Sequence, residues 1–416
     1  MRTDFGIVVI GGGIVGACTA ALAAANPAFE NMRIALIESQ PPSMPPPEQG
    51  VDLRVSALSR ASQRILESFG AWTSIAPVHR SPYGDMVVWD AAGKPRGAAS
   101  IEFSASNSSE PNLGHILENR RVLWSIYATR TFRDRVTLLQ GQLTALDLDA
   151  ERVELTLGDG RRYTAQLAVG SDGSDSMSRR LAGIDAAAHD YEQAAFVTHV
   201  RTALPHRQTA WQRFLPDGPI AFLPLADGRS SIVWTTKPAH AEALVSGEAA
   251  QVDAEIEAAI DGVLGRVTID ADRAAFPLRM MHAREYCTDR FVLVGDAAHT
   301  VHPLAGQGVN LGLLDSAALI EVLGDALTGG ATVETFCERR VLRTYERWRK
   351  SENTLALGLI DGLNRVFASG QGVTASARRW GIGFVDRATL LKRFLMGRAM
   401  GTGGELPRLA RSAQHA

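Results

Sequence analysis

The chain contains 416 residues, of which 45% are hydrophobic and 21% are charged, and its 43 lysines and arginines nearly balance its 45 aspartates and glutamates, giving a formal net charge of −2. This length predicts two or three domains around a large core, and it excludes a small scaffold that needs disulfides or metals to fold. The balanced charge excludes a nucleic-acid-binding function that rests on overall charge, so any preference for a charged partner has to be local.

The first predicted elements are a strand, a glycine-rich turn and a helix. Residues 5–10 are apolar and β-prone, and an alanine-rich helix is expected to extend to about residue 25. Between them, Gly11, Gly13 and Gly16 have the Gly-x-Gly-x-x-Gly spacing. The first glycine allows a tight turn, the second lets the backbone approach a pyrophosphate, and the third lets the helix pack closely on the strand.

A carboxylate at the end of the next strand completes this pattern. Residues 33–37 predict the strand, and Glu38 follows it about twenty residues after the glycines. In this position a carboxylate binds the ribose hydroxyls of an adenosine. The segment therefore predicts a bound dinucleotide, without distinguishing FAD from NAD.

The cysteines and the apolar segments indicate the compartment. Cys18, Cys287 and Cys337 are odd in number and have no metal-binding or redox spacing, which predicts a reducing compartment and no disulfide framework. Residues 7–25 could be mistaken for a secretory signal, but such a signal does not need the glycines found there. No other uncharged run is long enough to span a bilayer. We therefore expect a cytoplasmic protein.

Residues 40–119 contain a loop, a helix and the first strands of a second sheet. Residues 40–50 are rich in proline and predict a loop, after which residues 51–59 lead into a helix that ends near residue 70. Strands at 86–89 and 99–103 are predicted to belong to a substrate sheet. Two residues here have two interpretations each: Arg54 either faces a ligand or forms a surface ion pair, and Asn119 either faces a ligand or caps a helix.

A second glycine-containing motif follows a group of strands. Strands are predicted at 136–140, 143–148, 152–157 and 163–169, with hairpin signals that fit a three-stranded antiparallel insert. The last of them leads into Asp172-Gly173-x-x-Ser176-x-x-Arg179. A plain Asp-Gly turn is the alternative to a ligand-binding motif here.

The segment 194–284 returns to strands. Alternating patterns at 196–201, 211–215, 220–225 and 230–235 predict a sheet with one packed face, followed by a helix at 252–264 and a strand at 276–284. Three residues, Phe214, Phe222 and Leu223, either line an apolar pocket or belong to the core.

The segment 291–319 predicts a buried strand, a turn, a glycine-rich loop and the start of a helix. Gly295 allows a sharp turn at the strand end, and the Asp296 carboxylate can accept hydrogen bonds from a sugar-like polyol. The residues Gly306, Gly308, Val309 and Asn310 precede the helical pattern, so unpaired N–H groups at a helix N-terminus could face an anion or an electron-rich ring edge. His299 and His302 lack an evident third ligand, so no metal site is expected.

From residue 332 onward the sequence predicts helices, and its final part is basic. Arginines and lysines outnumber acidic residues there and alternate with apolar residues. Two interpretations remain open, a helix docked on the protein with a solvated face or a surface for a membrane or a protein partner.

These motifs together resemble those of the FAD-dependent aromatic hydroxylases, and in particular the branch that acts in ubiquinone biosynthesis. The resemblance covers nearly the whole chain and rests on the motifs at 11–38, 172–179 and 295–310, with the Asp-x-Arg-x-x-Ala-Leu-Ser pattern at 52–59 pointing to the branch. It implies that Asp296 holds the FAD ribitol, that the helix end beyond Gly306 faces the flavin ring, and that Arg54 and Pro303 lie near the ring. It also implies cofactor contacts for Asn119 and for the Asp172-Gly173 pair, the latter near both the FAD pyrophosphate and the nicotinamide nucleotide.

The implied fold is α/β, with a Rossmann-like FAD-binding domain similar to that of para-hydroxybenzoate hydroxylase, an inserted β-sheet substrate domain and a helical C-terminus. The expected FAD-binding domain comprises residues 1–80, 115–180 and 285–350. The expected substrate domain comprises residues 81–114 and 181–284, and the C-terminal helical region comprises residues 351–416.

The implied function is flavin-dependent monooxygenation. NAD(P)H would reduce FAD, oxygen would add at the flavin C4a, and the resulting hydroperoxyflavin would hydroxylate a prenylated phenol. No side chain is assigned as an acid or base, because the flavin performs the chemistry while the protein orients the ring and excludes water. The alternatives are a hydroxylase of the same fold for a soluble aromatic or polyketide, and a flavin-binding scaffold of a biosynthetic assembly.

The expected partners follow from the substrate. A polyprenyl phenol is nearly insoluble in water, so the enzyme has to meet it at a bilayer or receive it from another quinone-biosynthesis protein. The basic segment beyond residue 373 predicts reversible, peripheral association with the inner face of a membrane.

Overall fold

The computed structural model describes residues 3–46, 50–97, 100–300, 308–368, 397 and 403–412. In chain order, its strands are β1 (Phe5–Ile10), β2 (Ile34–Glu38), β3 (Val55–Ser59), β4 (Ser81–Tyr83), β5 (Asp85–Asp90), β6 (Ser100–Ser104), β7 (Gly114–Glu118), β8 (Val136–Gln140), β9 (Leu143–Leu148), β10 (Val153–Leu157), β11 (Arg162–Gly170), β12 (Ala186–Thr202), β13 (Thr209–Leu215), β14 (Gly218–Pro224), β15 (Ser230–Thr236), β16 (Val267–Ile269), β17 (Ala274–Ala283), β18 (Cys287–Thr288), β19 (Phe291–Leu293) and β20 (His299–Thr300).

The α-helices of the described residues alternate with these strands in the first part of the chain and dominate its last part. They are α1 (Ile14–Ala25), α2 (Arg60–Glu67), α3 (Ala71–Ser74), α4 (Asn119–Tyr127), α5 (Arg130–Arg135), α6 (Met177–Leu181), α7 (Pro238–Ser246), α8 (Ala249–Ala259), α9 (Gly308–Thr328) and α10 (Arg339–Ala368).

The first sheet brings the three sequence motifs to one edge. Its eight strands include the parallel series β19, β11, β1, β2 and β8, and β9 and β10 extend β11 as an antiparallel insert. The parallel strands β1 and β19 are buried along their whole length, as expected for a sheet covered on both faces. Because the carboxyl ends of parallel strands meet at the same edge, the turns after β1, β2, β11 and β19 are neighbours there.

The second sheet has one face against helices and the other face against a cavity. Its nine strands run in the order β20, β17, β12, β15, β14, β13, β5 and β6, with β16 beside β12. Phe222, Ile232 and Trp234 on one face pack in a core with Leu244 of α7 and Ile256 of α8. Successive strand residues point to opposite faces, so the residues between them face away from these helices.

A third, smaller sheet was not predicted from the sequence. The strands β3 and β4 pair with the central β7, and all pairings are antiparallel. Residues 51–59 lead into a helix as expected, but the last five of them form strand β3, which was not predicted. Residues 114–118 form strand β7. The helices α2 and α4 begin only after them, at Arg60 and Asn119.

The longest strand is also longer than predicted. The sequence predicts a strand at 196–201, whereas β12 extends over 17 residues from Ala186 to Thr202. Its first part, Ala-Ala-Ala-His-Asp-Tyr-Glu-Gln, has no strand-like pattern, but it pairs with β17 on both sides of a register shift between Asp190 and Gln193. Pairing with a neighbouring strand has therefore overridden a weak local preference.

The described part of the C-terminal segment packs on the helices α2 and α9. The guanidinium of Arg408 pairs with the carboxylates of Glu321 and Asp325 on α9, and Ala410 is buried with its carbonyl accepting a hydrogen bond from Arg64 on α2. This piece follows the docked interpretation, whereas most of the basic segment beyond residue 373 lies outside the described residues.

None of the helices, over the residues that the structure describes, combines the length and the apolar character that crossing a bilayer requires.

Candidate functional site

Two cavities meet at the carboxyl edge of the first sheet. The smaller, of about 650 Å³, follows the glycine-rich turn and Glu38, and the larger, of about 870 Å³, lies between that edge and the second sheet. Asp175, Arg180 and Asp296 line both cavities. A single elongated ligand could therefore extend from one cavity into the other past these three side chains.

The glycine-rich turn contains glycines with different roles. Gly11 has a φ of +97°, and a Cβ there would lie 2.7 Å from the carbonyl oxygen of Ser171. A Cβ at Gly16 would lie 1.9 Å from the carbonyl oxygen of Gly11. Packing within the protein thus requires glycine at both positions.

Gly13 differs because packing within the protein does not require a glycine there. Its φ of −64° and ψ of −179° suit any residue, and a Cβ would meet no atom within 4 Å. Gly13 lines the smaller cavity at the N-terminus of α1, where backbone N–H groups and the helix dipole favour an anion. The open space beside it fits a pyrophosphate that approaches the backbone.

Glu38 is held in place for a ligand by the same turn. Its Oε2 accepts a hydrogen bond from the Gly12 N–H at 2.7 Å, and its Oε1 accepts one from the Gln40 N–H at 2.8 Å. The Tyr127 hydroxyl donates to the Gly12 carbonyl at 2.9 Å. Each carboxylate oxygen can accept a further hydrogen bond, so Glu38 can still bind the two hydroxyls of a ribose.

The carboxylate of Asp172 points into the protein. It accepts hydrogen bonds from the Ser176 hydroxyl at 2.5 Å and from the Ser178 N–H and hydroxyl at 2.8 and 2.7 Å. Asp172 and Gly173 line the smaller cavity, with Gly173 at a φ of +84°. The Asp172 side chain therefore shapes the turn, and the backbone of the motif is the part suited to contact a ligand.

Arg179, which the sequence analysis noted only as part of a pattern, connects two motifs. Its Nη1 donates to the Ala297 carbonyl at 2.8 Å and its Nη2 donates to the Ser174 carbonyl at 3.1 Å. Desolvation lowers the pKa of this guanidinium. The turn after β11 and the turn after β19 are thus tied together beside both cavities.

Asp296 projects into the junction of the cavities. Its side chain is accessible from the cavity but is shielded by protein from bulk water, and this desolvation raises the pKa of its carboxyl. Gly295 before it has a φ of +59° and lies against Val15 of α1. The sharp turn places the carboxylate where the middle of an elongated ligand would pass.

A buried ionic network supports this turn. Asp315, fully buried on α9, accepts hydrogen bonds from the Gly295 N–H at 3.1 Å, from His299 Nε2 at 2.5 Å and from Arg349 Nε at 2.7 Å. Burial alone would raise the pKa of Asp315, but His299 and Arg349 outweigh it and hold the pKa below its usual range. His299 is committed to this network, and His302 lies outside the described residues.

Asp315 was not predicted as a site residue, although the sequence around it contains a signal. An aspartate within the apolar segment Leu311-Gly312-Leu313-Leu314-Asp315 of a predicted buried helix requires a partner inside the protein. That partner is Arg349, which lies on another helix, α10, so the spacing of residues in the sequence could not predict it.

The start of α9 lies at the junction, with one difference from expectation. Gly308 is its first residue and Val309 lines the smaller cavity. The side chain of Asn310 is buried and binds β3 and α2, since its Oδ1 accepts from the Ser59 N–H at 2.9 Å and from the Ser62 hydroxyl at 2.7 Å. Asn310 can thus face a ligand only with its backbone, and Pro303 and Gly306 lie outside the described residues.

Arg54 and Asn119 line the larger cavity. The exposed guanidinium of Arg54 lies over the ring of Phe276, 5.2 Å from its centroid, and within the described ranges the structure gives it no ion pair. Asn119 is not a helix cap, because Glu118 occupies the N-cap of α4. The Asn119 Oδ1 instead accepts a hydrogen bond from the Ser56 hydroxyl at 2.7 Å.

Of the three predicted pocket residues, Leu223 alone lines one of these two cavities. Leu223 lines the larger cavity, whereas Phe222, its neighbour on β14, points to the opposite face and is buried against the helices. Phe214 packs with Val88 and Ile101. The prediction for Phe222 is therefore corrected, for the physical reason that adjacent strand residues face opposite sides.

Comparison with known proteins agrees with this geometry. The family model described as FAD binding domain matches residues 4–353. The chain is 35% identical over 396 residues to 3-demethoxyubiquinol 3-hydroxylase of Escherichia coli K12, covering 95% of this chain and 98% of that protein. It is 37% identical over 413 residues to ubiquinone hydroxylase UbiL of Rhodospirillum rubrum, covering 97% of this chain and 92% of that protein.

A solved structure shares the fold at lower sequence identity. The p-nitrophenol 4-monooxygenase PnpA from Pseudomonas putida DLL-E4 superposes with a TM-score of 0.74 at 18% identity, covering 97% of this chain and 100% of that chain. At this identity the likeness concerns the fold alone, which is the mixed α/β architecture expected from the sequence.

Proposed function

This chain belongs to the family of FAD-dependent monooxygenases that includes the ubiquinone-biosynthesis hydroxylases, and we propose that it hydroxylates the aromatic ring of a prenylated phenol or quinol on the route to ubiquinone. The substrates of the reaction are the phenol, O₂ and NAD(P)H. One oxygen atom enters the ring and the other leaves as water, with both electrons supplied by the nicotinamide nucleotide. The continuity of the two cavities past Asp296 is the observation that carries the proposal.

FAD fits the smaller cavity and its junction with the larger one. Glu38 would bind the adenosine ribose, the open space at Gly13 would take the pyrophosphate, and Asp296 would accept hydrogen bonds from the ribitol. The isoalloxazine ring would then extend into the larger cavity near Arg54. When bound, FAD supplies the redox chemistry and the oxygen activation.

The protein's own contribution is to orient the reactants and exclude water. The stacked pair of Arg54 and Phe276 forms part of the cavity wall beside the ring position, and the second sheet closes the opposite side with small apolar residues. A cavity that excludes water would limit side reactions of the bound cofactor. We assign no acid or base among the side chains.

We also propose that the chain has two functional parts, one that binds the cofactor and one that binds the substrate. Residues 1–80, 115–180 and 285–350 would form the cofactor-binding part, and residues 81–114 and 181–284 would form the substrate part. The order of strands supports this, because β5, β6 and β12 to β17 belong to the second sheet, while β1 to β4, β7 to β11, β18 and β19 belong to the others. The short strand β20 at His299–Thr300 is an exception, since it lies in the proposed cofactor-binding part but pairs with β17 of the second sheet.

Turnover with isotopic oxygen tests the function. We expect oxidation of NAD(P)H to be stimulated by a short-chain prenyl phenol, and labelled molecular oxygen to appear in the hydroxylated product. A soluble phenol without the prenyl chain, assayed in parallel, distinguishes the ubiquinone route from a hydroxylase of soluble aromatics. Label that arrives from water would contradict monooxygenation, and oxidation that no phenol stimulates would favour a flavin-binding scaffold.

We further propose that the enzyme meets its substrate by reversible association with an anionic membrane. The sequence beyond residue 373 is basic, and each such residue near an anionic surface contributes about 1 kcal/mol. In liposome flotation, replacing Arg379, Lys392 and Arg393 by glutamate should weaken binding, as should high salt. These residues lie outside the described ranges, so the argument rests on their charge.

A matched variant separates local from overall charge in the flotation experiment. Arg130, Arg133 and Arg266 are exposed on other parts of the molecule, and replacing them by glutamate gives the same change in net charge. We expect this control to float like the unmodified protein. Equal flotation of all three proteins would reject the C-terminal segment as the membrane-binding surface.

A further inference from the structure

Two polar side chains on the second sheet line the larger cavity. The Gln212 residue is 5% exposed and Thr235 is 2% exposed, and both line the cavity. Within the part of the chain that the structure describes, no hydrogen bond reaches the Gln212 amide or the Thr235 hydroxyl. Their polar atoms are not among those sealed inside the protein, so both groups open onto the cavity, where a ligand can supply their hydrogen bonds.

Gln212 and Thr235 lie on either side of a patch of small side chains on the sheet, which forms the floor of the cavity. Gln212 of β13 pairs with Ala221 of β14, which pairs with Val233 of β15, and all three line the cavity. The strands β13 and β15 are separated by β14 and are therefore about 10 Å apart. Because the side chains between Gln212 and Thr235 are small, an aromatic ring has room to lie there with both polar groups at its edge.

The floor lies beside the expected position of the flavin ring. Thr235 pairs with Ala195 of β12, and Ala195 pairs with Phe276 of β17, over which the Arg54 guanidinium is stacked. Phe276 and Thr235 are thus also about 10 Å apart. A phenol on this floor would consequently lie next to the side of the cavity that Arg54 and Phe276 form.

We propose that Gln212 and Thr235 bind the oxygen substituents of the phenolic substrate and fix the ring's position in the cavity. This inference rests on the proposed function. The amide and the hydroxyl each offer a donor and an acceptor, so together they can bind a ring hydroxyl and a second ring oxygen. The apolar surroundings strengthen such hydrogen bonds and penalise a substrate that cannot form them.

Apolar isosteres provide the test, because they remove a group that has no partner in the protein. We expect Gln212→Leu and Thr235→Val to retain the stability and the FAD content of the unmodified enzyme. Each should weaken binding of the phenol about tenfold, measured by titrating it into the FAD-loaded enzyme and following the flavin absorbance. With the O-methyl ether of the same phenol, the variants should bind nearly as well as the unmodified enzyme.

Thr198→Val is the matched structural control. The Thr198 hydroxyl, buried on β12, donates to the Asp272 carbonyl at 2.9 Å, so its loss should lower stability and leave phenol binding unchanged. Equal phenol affinity of the two cavity variants and the unmodified enzyme would overturn the inference, and so would a loss of stability like that of the control. If the unmodified enzyme binds no phenol at all, the proposed function itself fails, which is a distinguishable result.

Discussion

Gly13→Val should produce a folded protein that does not retain FAD. A Cβ at this position would meet no protein atom within 4 Å, and the backbone angles suit a non-glycine residue, so the fold should lose no more than about 1 kcal/mol from a poorer helix N-cap. Its side chain would occupy the space into which a pyrophosphate has to fit. We expect FAD affinity to fall at least about a hundredfold, measured as the FAD-to-protein ratio after dilution and by fluorescence titration.

Two other variants serve as a control and as a second test of the FAD site. Gly84→Val also adds a side chain in open space, but away from both cavities, and it should retain FAD. Asp296→Ala should weaken FAD binding by about 1 to 3 kcal/mol through loss of a ribitol acceptor. Full FAD retention by both Gly13→Val and Asp296→Ala at dilute protein would show that the site assignment is wrong.

Asp315→Asn should destabilise the fold strongly. The substitution keeps the shape of the side chain but leaves the guanidinium of Arg349, which is 1% exposed, without its counter-charge. Breaking a buried ion pair in this way costs about 3 to 5 kcal/mol, whereas replacing both partners by apolar residues is much less harmful. Urea unfolding should show this loss, and Asp315→Leu combined with Arg349→Met should recover a large part of it.

An exposed ion pair provides the control for this unfolding experiment. Arg130 and Asp134 form a pair on α5 with side chains 91% and 57% exposed, so Asp134→Asn should cost less than about 1 kcal/mol. A loss of similar size for Asp315→Asn would mean that the buried network does not hold the turn before Asp296 in place.

The depressed pKa of Asp315 also predicts how this stabilisation depends on pH. The folded state binds the proton less tightly than the unfolded state, whose carboxyl titrates near pH 4. The contribution of Asp315 is therefore complete above about pH 5 and is lost as the pH falls towards the folded-state pKa. The difference in stability between the unmodified protein and Asp315→Asn should narrow in acid, and a constant difference would contradict this.

Local spacing was sufficient to predict which motifs lie at the carboxyl edge of the first sheet. The glycines at 11, 13 and 16, Glu38, and the Gly295-Asp296 turn are short motifs at strand ends. Their position depends on little more than the strands themselves, because parallel strands in one sheet place their carboxyl ends at one edge. The sequence therefore determined the family, the fold class and the position of these motifs at one edge of the sheet.

The direction of individual side chains could not be predicted in the same way. Asp172 and Asn310 belong to the right motifs, yet their side chains bind serines and backbone groups inside the protein. Whether a polar side chain faces a ligand or the protein depends on which donors and acceptors the fold brings near it. Those partners come from up to 253 residues away in the chain.

The second sheet shows this limit most clearly. Strand alternation by itself indicates that Phe222 and Leu223 face opposite sides, but only the packing of α7 and α8 on one face decides which side becomes the cavity. The first half of β12 is a strand because β17 pairs with it, and the cavity position of Gln212 follows from the register of β13. The sequence thus determined the glycine-rich and acidic motifs at the sheet edge, which are local. The tertiary structure decided which side chains of the second sheet line the larger cavity, because pairing and packing between distant segments set their orientation.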